Sequence, residues 1–122
     1  MSTYQSLTPL SRDDALEMMS SSDTRVAGEA ILRLALHDPD GGWVTDRALE
    51  LLNNSAPEVR ITAATALGHV ARIHRSIDQA RVVPALRRLL DDPATAGRAE
   101  DALDDIEVFA NPHNGSATNA DD

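Results

Sequence analysis

Small and aliphatic residues recur at helical spacing through most of this sequence. The pattern is clearest between residues 57 and 71, where Ala63, Ala66, Leu67 and Val70 stand at i, i+3, i+4 and i+7. This spacing places side chains on one face of an α-helix. The same skeleton occurs 36 residues earlier, as Ala27, Ala30, Ile31 and Leu34, and 36 residues later, as Ala99, Ala102, Leu103 and Ile106. Three copies at one fixed spacing predict a repeat protein.

Polar and turn-forming stretches divide the chain into six predicted helices. Their expected ranges are residues 12–20, 24–37, 43–53, 57–74, 79–90 and 94–109. Ser11 followed by Asp14, and Ser55 followed by Glu58, are predicted capping boxes. Pro57 falls in the first turn of its helix, where the missing N–H costs nothing.

Two features are expected to interrupt the helices. The segment from Asp38 to Gly42 holds one proline and two glycines, and this composition predicts a turn before the third helix. Pro84 lies inside the fifth predicted helix, where a proline removes a backbone hydrogen bond. We therefore expect the regular part of that helix to begin only near Val82 or Val83.

The six helices pair into three hairpins, whose first helices align at Ala15, Ala48 and Ala85. A single hairpin cannot bury its own apolar face, but three stacked hairpins can. The sequence predicts an all-α protein of three stacked helical hairpins. We expect an irregular lead-in at residues 1–10, a repeat domain at 11–109 with repeats at about 12–37, 43–75 and 78–109, and a disordered tail at 110–122.

The amino-acid composition argues against several folds and kinds of reactive site. Hydrophobic residues make up 42% of the chain but aromatic residues only 2%, which favours a helical core rich in alanine and leucine over a β-sandwich. The chain has no cysteine, and all 11 basic residues are arginine, so disulfides, thiolate nucleophiles and a Schiff-base lysine are excluded. We expect no cofactor and no metal. The N-terminal stretch has neither a basic start nor a long apolar run, so a cytoplasmic protein is expected.

The chain is acidic, with a formal net charge of −9. This charge argues against nucleic acid or an anionic membrane as a partner and is compatible with a basic protein partner. The alternative is that the acidity only keeps the chain soluble. Residues 91–122 hold nine acidic residues and one arginine, net −8. The acidic last helix is expected either to pair with Arg81, Arg87 and Arg88 of the preceding helix or to bind a basic partner.

Two stretches resemble the halves of a HEAT repeat. They are Val82 to Pro93 (VVPALRRLLDDP) and Pro57 to Gly68 (PEVRITAATALG), and the resemblance extends over residues 12–109. The period is shorter than the roughly 40–47 residues usual for HEAT repeats and is similar to that of short bacterial HEAT-like units. A tetratricopeptide array has a similar period, but its Trp, Gly and Tyr signature is missing. The resemblance implies a short α-solenoid whose second helices line a concave face.

This implied concave face supplies the candidate binding residues. The 36-residue register makes Glu29, Thr65 and Asp101 equivalent, and likewise Arg33, His69 and Asp105. Because stacked helices lie roughly 8–10 Å apart, these six would form two columns across the groove, and Arg72 continues the stripe of the middle helix. The predicted protein-binding residues are these seven together with Asp104 of the acidic last helix. An ordinary solvated face is the alternative.

The sequence gives little indication of a catalytic site. His69 and His74 are five residues apart and point away from each other, and Asp104 and Asp105 face apart. HEAT-like DNA glycosylases need a basic concave surface with aromatic residues, whereas Trp43 begins an outer helix here and the last inner helix is acidic. Trp43 is expected to pack on the Gly41–Gly42 turn or to serve as an exposed anchor. We expect no enzyme.

The predicted function is therefore non-enzymatic protein binding. Small acidic bacterial HEAT proteins are similar to immunity proteins, and this similarity implies an inhibitor that neutralises a basic toxin domain by occlusion. The alternative is an adaptor or scaffold in a cytoplasmic complex that binds a peptide or helix. The sequence leaves the identity of the partner and the oligomeric state open.

Overall fold

The computed structural model describes residues 8–110, and within them it contains six α-helices and no strand. The helices are α1 (Arg12–Met19), α2 (Thr24–His37), α3 (Gly41–Leu51), α4 (Pro57–His74), α5 (Gln79–Leu89) and α6 (Ala96–Phe109). The all-α prediction is confirmed. Nearly all of the predicted tail, and most of the predicted lead-in, lie outside the described residues.

The helices form two layers. In the inner layer α2 packs against α4 and α4 against α6, and these are the most extensive contacts between helices. In the outer layer α1 packs on α2, α3 on α4, and α5 on α6. Each successive pair of helices is therefore one hairpin, and the hairpins stack through their second helices.

The core lies between the two layers and is built from the repeated skeleton. Eleven of its twelve residues are buried, and the exception is the half-buried Leu103. Small side chains let the inner helices approach closely: a Cβ atom added to Gly28 would lie 3.1 Å from Thr62 Oγ1 of α4, and one added to Gly68 would lie 2.8 Å from Asp105 Oδ2 of α6. The inner layer is thus held by alanine and glycine contacts around a few large aliphatic side chains.

The starts of α1, α2 and α3 are capped by hydrogen bonds to side chains. Ser11 Oγ accepts a hydrogen bond from Asp14 N at 3.2 Å, as the sequence predicts. The predicted capping box at Ser55 is wrong, because the N-cap of α4 is Ala56 and makes no side-chain cap hydrogen bond. Asn54 Oδ1 instead accepts from Ala56 N just before the helix, and Pro57 occupies the first turn as expected.

The third helix begins two residues earlier than predicted. Asp40 is its N-cap and accepts from Trp43 N at 3.0 Å, so Gly41 and Gly42 form the first turn of α3. The prediction that these glycines complete a turn is wrong because a capping carboxylate at Asp40 outweighs the low helix propensity of glycine.

The expected delay in the fifth helix is also wrong. Although Pro84 lies in its interior, α5 is continuous from Gln79 to Leu89. Pro84 is exposed, and so is Ala80, whose carbonyl would have accepted the missing hydrogen bond. Solvent can therefore satisfy this carbonyl, while Val82 and Leu86 bury the opposite face of the helix.

Arginine side chains join the outer helices to their neighbours. Arg12 of α1 forms an ion pair with Asp38 at 2.8 Å and lies over the Trp43 ring of α3, 4.4 Å from its centroid. The hydrogen bond from Arg12 lowers the pKa of Asp38 below its usual value. Arg81 of α5 pairs with Asp46 of α3 at 2.7 Å. Trp43 is half-buried under Arg12 and packs against the core, so it is not the exposed anchor that was one of its two expected roles.

Candidate functional site

Most of the predicted binding residues fall into two groups in the structure, and Arg72 contacts the second group through His69. Glu29 and Arg33 lie on α2 at the N-terminal end of the inner layer. A second group gathers around a cavity of about 160 Å³ between α4 and α6, which is lined by Thr65, Gly68, His69, Arg98, Asp101, Ala102 and Asp105. Asp104 belongs to neither group and is exposed on another side of α6.

Glu29 and Arg33 are occupied by contacts within the chain. Arg33 Nη1 lies 3.0 Å from Glu29 Oε2, and Arg33 Nε donates to the carbonyl oxygen of Thr8 at 2.9 Å. The Arg33 side chain is only 15% exposed. The part of the lead-in nearest the domain therefore covers the first of the three equivalent positions, and a partner would have to displace it to reach Arg33.

Thr65 is half-buried in the middle helix. Its hydroxyl donates to the carbonyl oxygen of Ile61, one turn earlier, at 3.1 Å. Its proton is therefore used inside α4, and the oxygen contributes an acceptor to the wall of the cavity.

The surroundings of His69 favour its neutral form. Arg72 Nη2 lies 3.0 Å from His69 Nδ1, and because arginine can only donate, Nδ1 accepts and the ring proton resides on Nε2. Burial of the ring lowers the pKa of His69 below its ordinary value, and the positive charge of Arg72 lowers it further. The Asp105 carboxylate acts in the opposite direction and is outweighed. The cavity wall thus presents an uncharged imidazole at neutral pH.

Two carboxylates of α6 complete the site. Asp101 is 67% exposed and makes only a long contact of 3.5 Å with Arg98, one turn earlier. Asp105 is half-buried, and within residues 8–110 it makes neither a hydrogen bond nor an ion pair. Its carboxylate lies over Gly68, where the absent side chain leaves space for it. Asp105 is consequently a partly desolvated carboxylate beside a neutral histidine.

Two contributors to this cavity are not among the residues predicted from the sequence. Gly68, predicted only as part of the small-residue helix, makes room for Asp105. Arg98, the one arginine of residues 91–122, lines the same cavity. The position of Gly68 one residue before His69 was an available signal, because glycine in a helix interior is unfavourable unless close packing requires it.

The expected pairing of α6 with the arginines of α5 is not found for Arg81. This side chain turns to Asp46 and Asp78, at 2.7 Å and 2.6 Å, and both contacts raise its pKa. Arg87 lines a separate groove together with Glu107 of α6. Within residues 8–110, no ion pair joins Arg81, Arg87 or Arg88 to the two carboxylates of the α4–α6 cavity, Asp101 and Asp105.

Asp105 makes no hydrogen bond or ion pair within residues 8–110, and Asp101 beside it is largely exposed, so this small cavity is suited to receive a positively charged group. A cationic side chain from another molecule would restore the solvation that Asp105 loses by burial. Within residues 8–110 no cluster of three or more His, Asp or Glu side chains is placed to hold a metal ion. No helix in this part of the chain is both long and apolar enough to cross a membrane.

A two-layered stack of helical hairpins defines a helical-repeat protein of the α-solenoid class. The model of the HEAT repeat family matches residues 12–104, and the chain belongs to this family. HEAT repeats typically mediate protein interactions and are generally non-enzymatic scaffolds. Comparison with the curated proteins and with the solved structures gave no match.

Proposed function

We propose that this HEAT-repeat protein binds a partner protein through its inner layer and that the α4–α6 cavity receives a basic side chain of that partner. The observation that carries the proposal is the position of Asp105, half-buried over Gly68 and without a hydrogen bond or ion pair in the described chain. Asp101, on the rim of the same cavity, adds a second negative charge. An arginine fork can satisfy two carboxylates at once.

The rest of the chain is compatible with a basic partner. The net charge of −9 would speed the association of such a protein and raise its local concentration. Arg72 is engaged with His69 and does not neutralise Asp105 directly. Binding would therefore be sensitive to ionic strength, since rim charges are screened within about 8–10 Å at physiological salt.

Within this general function, we propose that this chain is an immunity protein, which neutralises a toxin domain by covering the active site of the toxin. An acidic surface that presents carboxylates to a basic enzyme supports this role, because the substrates of basic toxin domains are themselves often anionic. The second candidate is an adaptor that recognises a basic peptide or helix within a larger complex. The same cavity serves both roles, and the identity of the partner separates them.

The neighbouring gene provides the first test. An immunity protein is expected beside the gene for a secreted toxin, and the purified toxin domain should bind this chain and lose activity. A toxin domain that binds but remains active would favour the adaptor. If the adjacent gene product does not bind, the immunity role is wrong.

Gly68→Ala tests the cavity itself. The new Cβ would lie 2.8 Å from Asp105 Oδ2 and would displace this carboxylate, which is the movable end of its side chain. We expect folding stability to be kept, because alanine favours the helix by about 0.5–1 kcal/mol over glycine, while affinity for the basic partner falls at least about tenfold.

Gly97→Ala is the matched control, since a Cβ at that position meets nothing within 4 Å. It makes the same chemical change in an inner helix and should leave affinity unchanged. Isothermal titration of both variants with the partner, together with urea unfolding, separates binding from stability. Equal affinity of the Gly68→Ala variant and the unaltered protein would show that the cavity is not part of the interface.

A further inference from the structure

The last inner helix exposes a face that the two earlier inner helices bury. The repeat register places Glu100, Asp104 and Glu107 of α6 where α4 has Ala64, Gly68 and Ala71. In α4 these three positions are buried, with Gly68 against α6, and in α2 the equivalent Gly28 and Ala35 are buried and Leu32 is half-buried. In α6 all three are exposed. The side of α6 on which a further helix would stack is therefore acidic.

An apolar groove lies next to this acidic row. A cavity of about 230 Å³ between α5 and α6 is lined by Val83, Leu103 and Ile106, with Gln79, Arg87 and Glu107 as its polar members. Leu103 is half-buried here, whereas its equivalents Ile31 and Leu67 have no exposed surface. The groove is open because no helix of the described chain covers this end of the stack. We call the acidic row and the groove together the end face.

We propose that the end face docks a basic amphipathic helix of another protein, which packs on α6 as a further layer of the stack. Glu100, Asp104 and Glu107 are spaced i, i+4 and i+7, so they form one stripe about 10 Å long. No ion pair among the described residues includes Glu100 or Asp104. A helix with arginines along one edge would pair with this stripe, and leucines beside them would enter the groove at Val83 and Leu103.

The negative charge of the end face favours a basic helix over two other possible occupants, a second copy of the chain and residues 111–122. A second copy docked face to face would bring two acidic stripes together, and such like-charge contacts oppose association. Residues 111–122 follow α6 in the sequence, but they contain no arginine or lysine and include Asp121 and Asp122. Neither the chain's own copy nor its own C-terminal segment supplies the cations that the stripe would attract.

The test uses a synthetic helical peptide of about 18 residues, with leucines on one face and arginines along its edge, labelled for fluorescence anisotropy. Its control has the same composition in a scrambled order that no longer separates leucine from arginine. We expect the full-length protein to bind the amphipathic peptide at least about tenfold more tightly than the scrambled peptide. Equal affinity for both peptides would show that net charge alone explains the binding and would overturn the proposal.

A paired substitution locates the site. Glu100→Gln with Asp104→Asn should weaken the amphipathic peptide at least about threefold. Asp13→Asn with Glu17→Gln removes the same charge from exposed positions of α1 and should change the affinity by much less. Equal losses from the two pairs would contradict docking at the end face.

Backbone amide shifts of the labelled protein separate this proposal from the proposed function of the α4–α6 cavity. The peptide should perturb Leu103 and Asp104 and leave Gly68 and His69 unaffected, and Gly68→Ala should bind it as the unaltered protein does. Shifts centred on His69 would assign the peptide to the cavity and overturn the end face. A concentration-dependent dimer would assign the end face to a second copy of the chain. Peptide binding that becomes at least about tenfold tighter after truncation at Ala110 would assign it to residues 111–122.

Discussion

At position 69 a half-buried histidine stands between a cation and a carboxylate. Burial and Arg72 lower the pKa of His69, and Asp105 only partly opposes them. The folded-state pKa therefore lies below the unfolded value of about 6.5, and the unfolded chain takes up a proton first as the pH falls. The stability contributed by the neutral ring is present above about pH 6.5 and is lost as the pH falls toward the folded-state pKa.

We therefore expect His69→Gln to flatten the pH dependence of stability. The free energy of unfolding of the unaltered protein should fall between about pH 7.5 and about pH 5.5, and that of the variant should fall less. Urea unfolding at both pH values measures the difference. Identical slopes for the His69→Gln variant and the unaltered protein would contradict the pKa shift of His69.

Residue patterns predicted which side chains share the inner layer but not how they meet. The register correctly grouped Thr65, His69, Asp101 and Asp105 near one another, because helical periodicity fixes the face on which each residue lies. It did not predict the contact of Arg33 with Thr8, which depends on the path of an irregular segment. Nor did it predict Asp105 over Gly68, which depends on how closely two helices approach.

At the scale of helices, α2 and α4 pack closely where Gly28 faces Thr62. A Cβ atom at Gly28 would meet three atoms of the Thr62 side chain at 3.1–3.2 Å. Thr62 is β-branched, and its hydroxyl donates to the carbonyl oxygen of Glu58 at 2.9 Å, so its rotamer is restrained. An alanine at position 28 must therefore push α2 away from α4 or break this hydrogen bond.

Gly28→Ala is expected to be less stable than Gly97→Ala by about 1–3 kcal/mol. Both variants replace a helical glycine with alanine, but only the first one overpacks an interface, since Gly97 has open space around it. Chemical denaturation of the two variants gives the comparison directly. Equal stabilities would show that the inner helices separate at little cost.

The helices themselves were largely predictable because their apolar periodicity is strong. The predicted ranges of α2 and α4 agree with the structure at both ends, and the ends of the other helices differ by one or two residues. The larger errors concern glycine and proline. At Gly41 the capping carboxylate of Asp40 decides the helix start, and at Pro84 an exposed carbonyl makes the proline tolerable; both effects depend on geometry that composition does not encode.

At the scale of the whole molecule, the two ends of the stack differ. At the N-terminal end Arg33 is covered through its contacts with Thr8. At the C-terminal end Glu100, Asp104 and Glu107 replace the small residues through which the inner helices pack. Repeat proteins require a polar outer surface on their terminal repeats, because an apolar stacking face would associate with other copies. The acidic row thus has a structural consequence that is independent of any partner.

Replacing this row should convert the end face into a self-association surface. Glu100→Ala, Asp104→Ala and Glu107→Ala together restore the small side chains that α4 buries at the equivalent positions and remove the repulsion between copies. Leu103 and Val83 lie beside them and would add apolar area to the contact. We expect the triple variant to self-associate more strongly than the unaltered protein in sedimentation velocity. The control variant Asp13→Ala, Glu17→Ala and Asp91→Ala changes the net charge equally and should sediment as the unaltered protein does. A triple variant that sediments as the control does would mean that shape, and not the acidic row, limits the stack at three repeats.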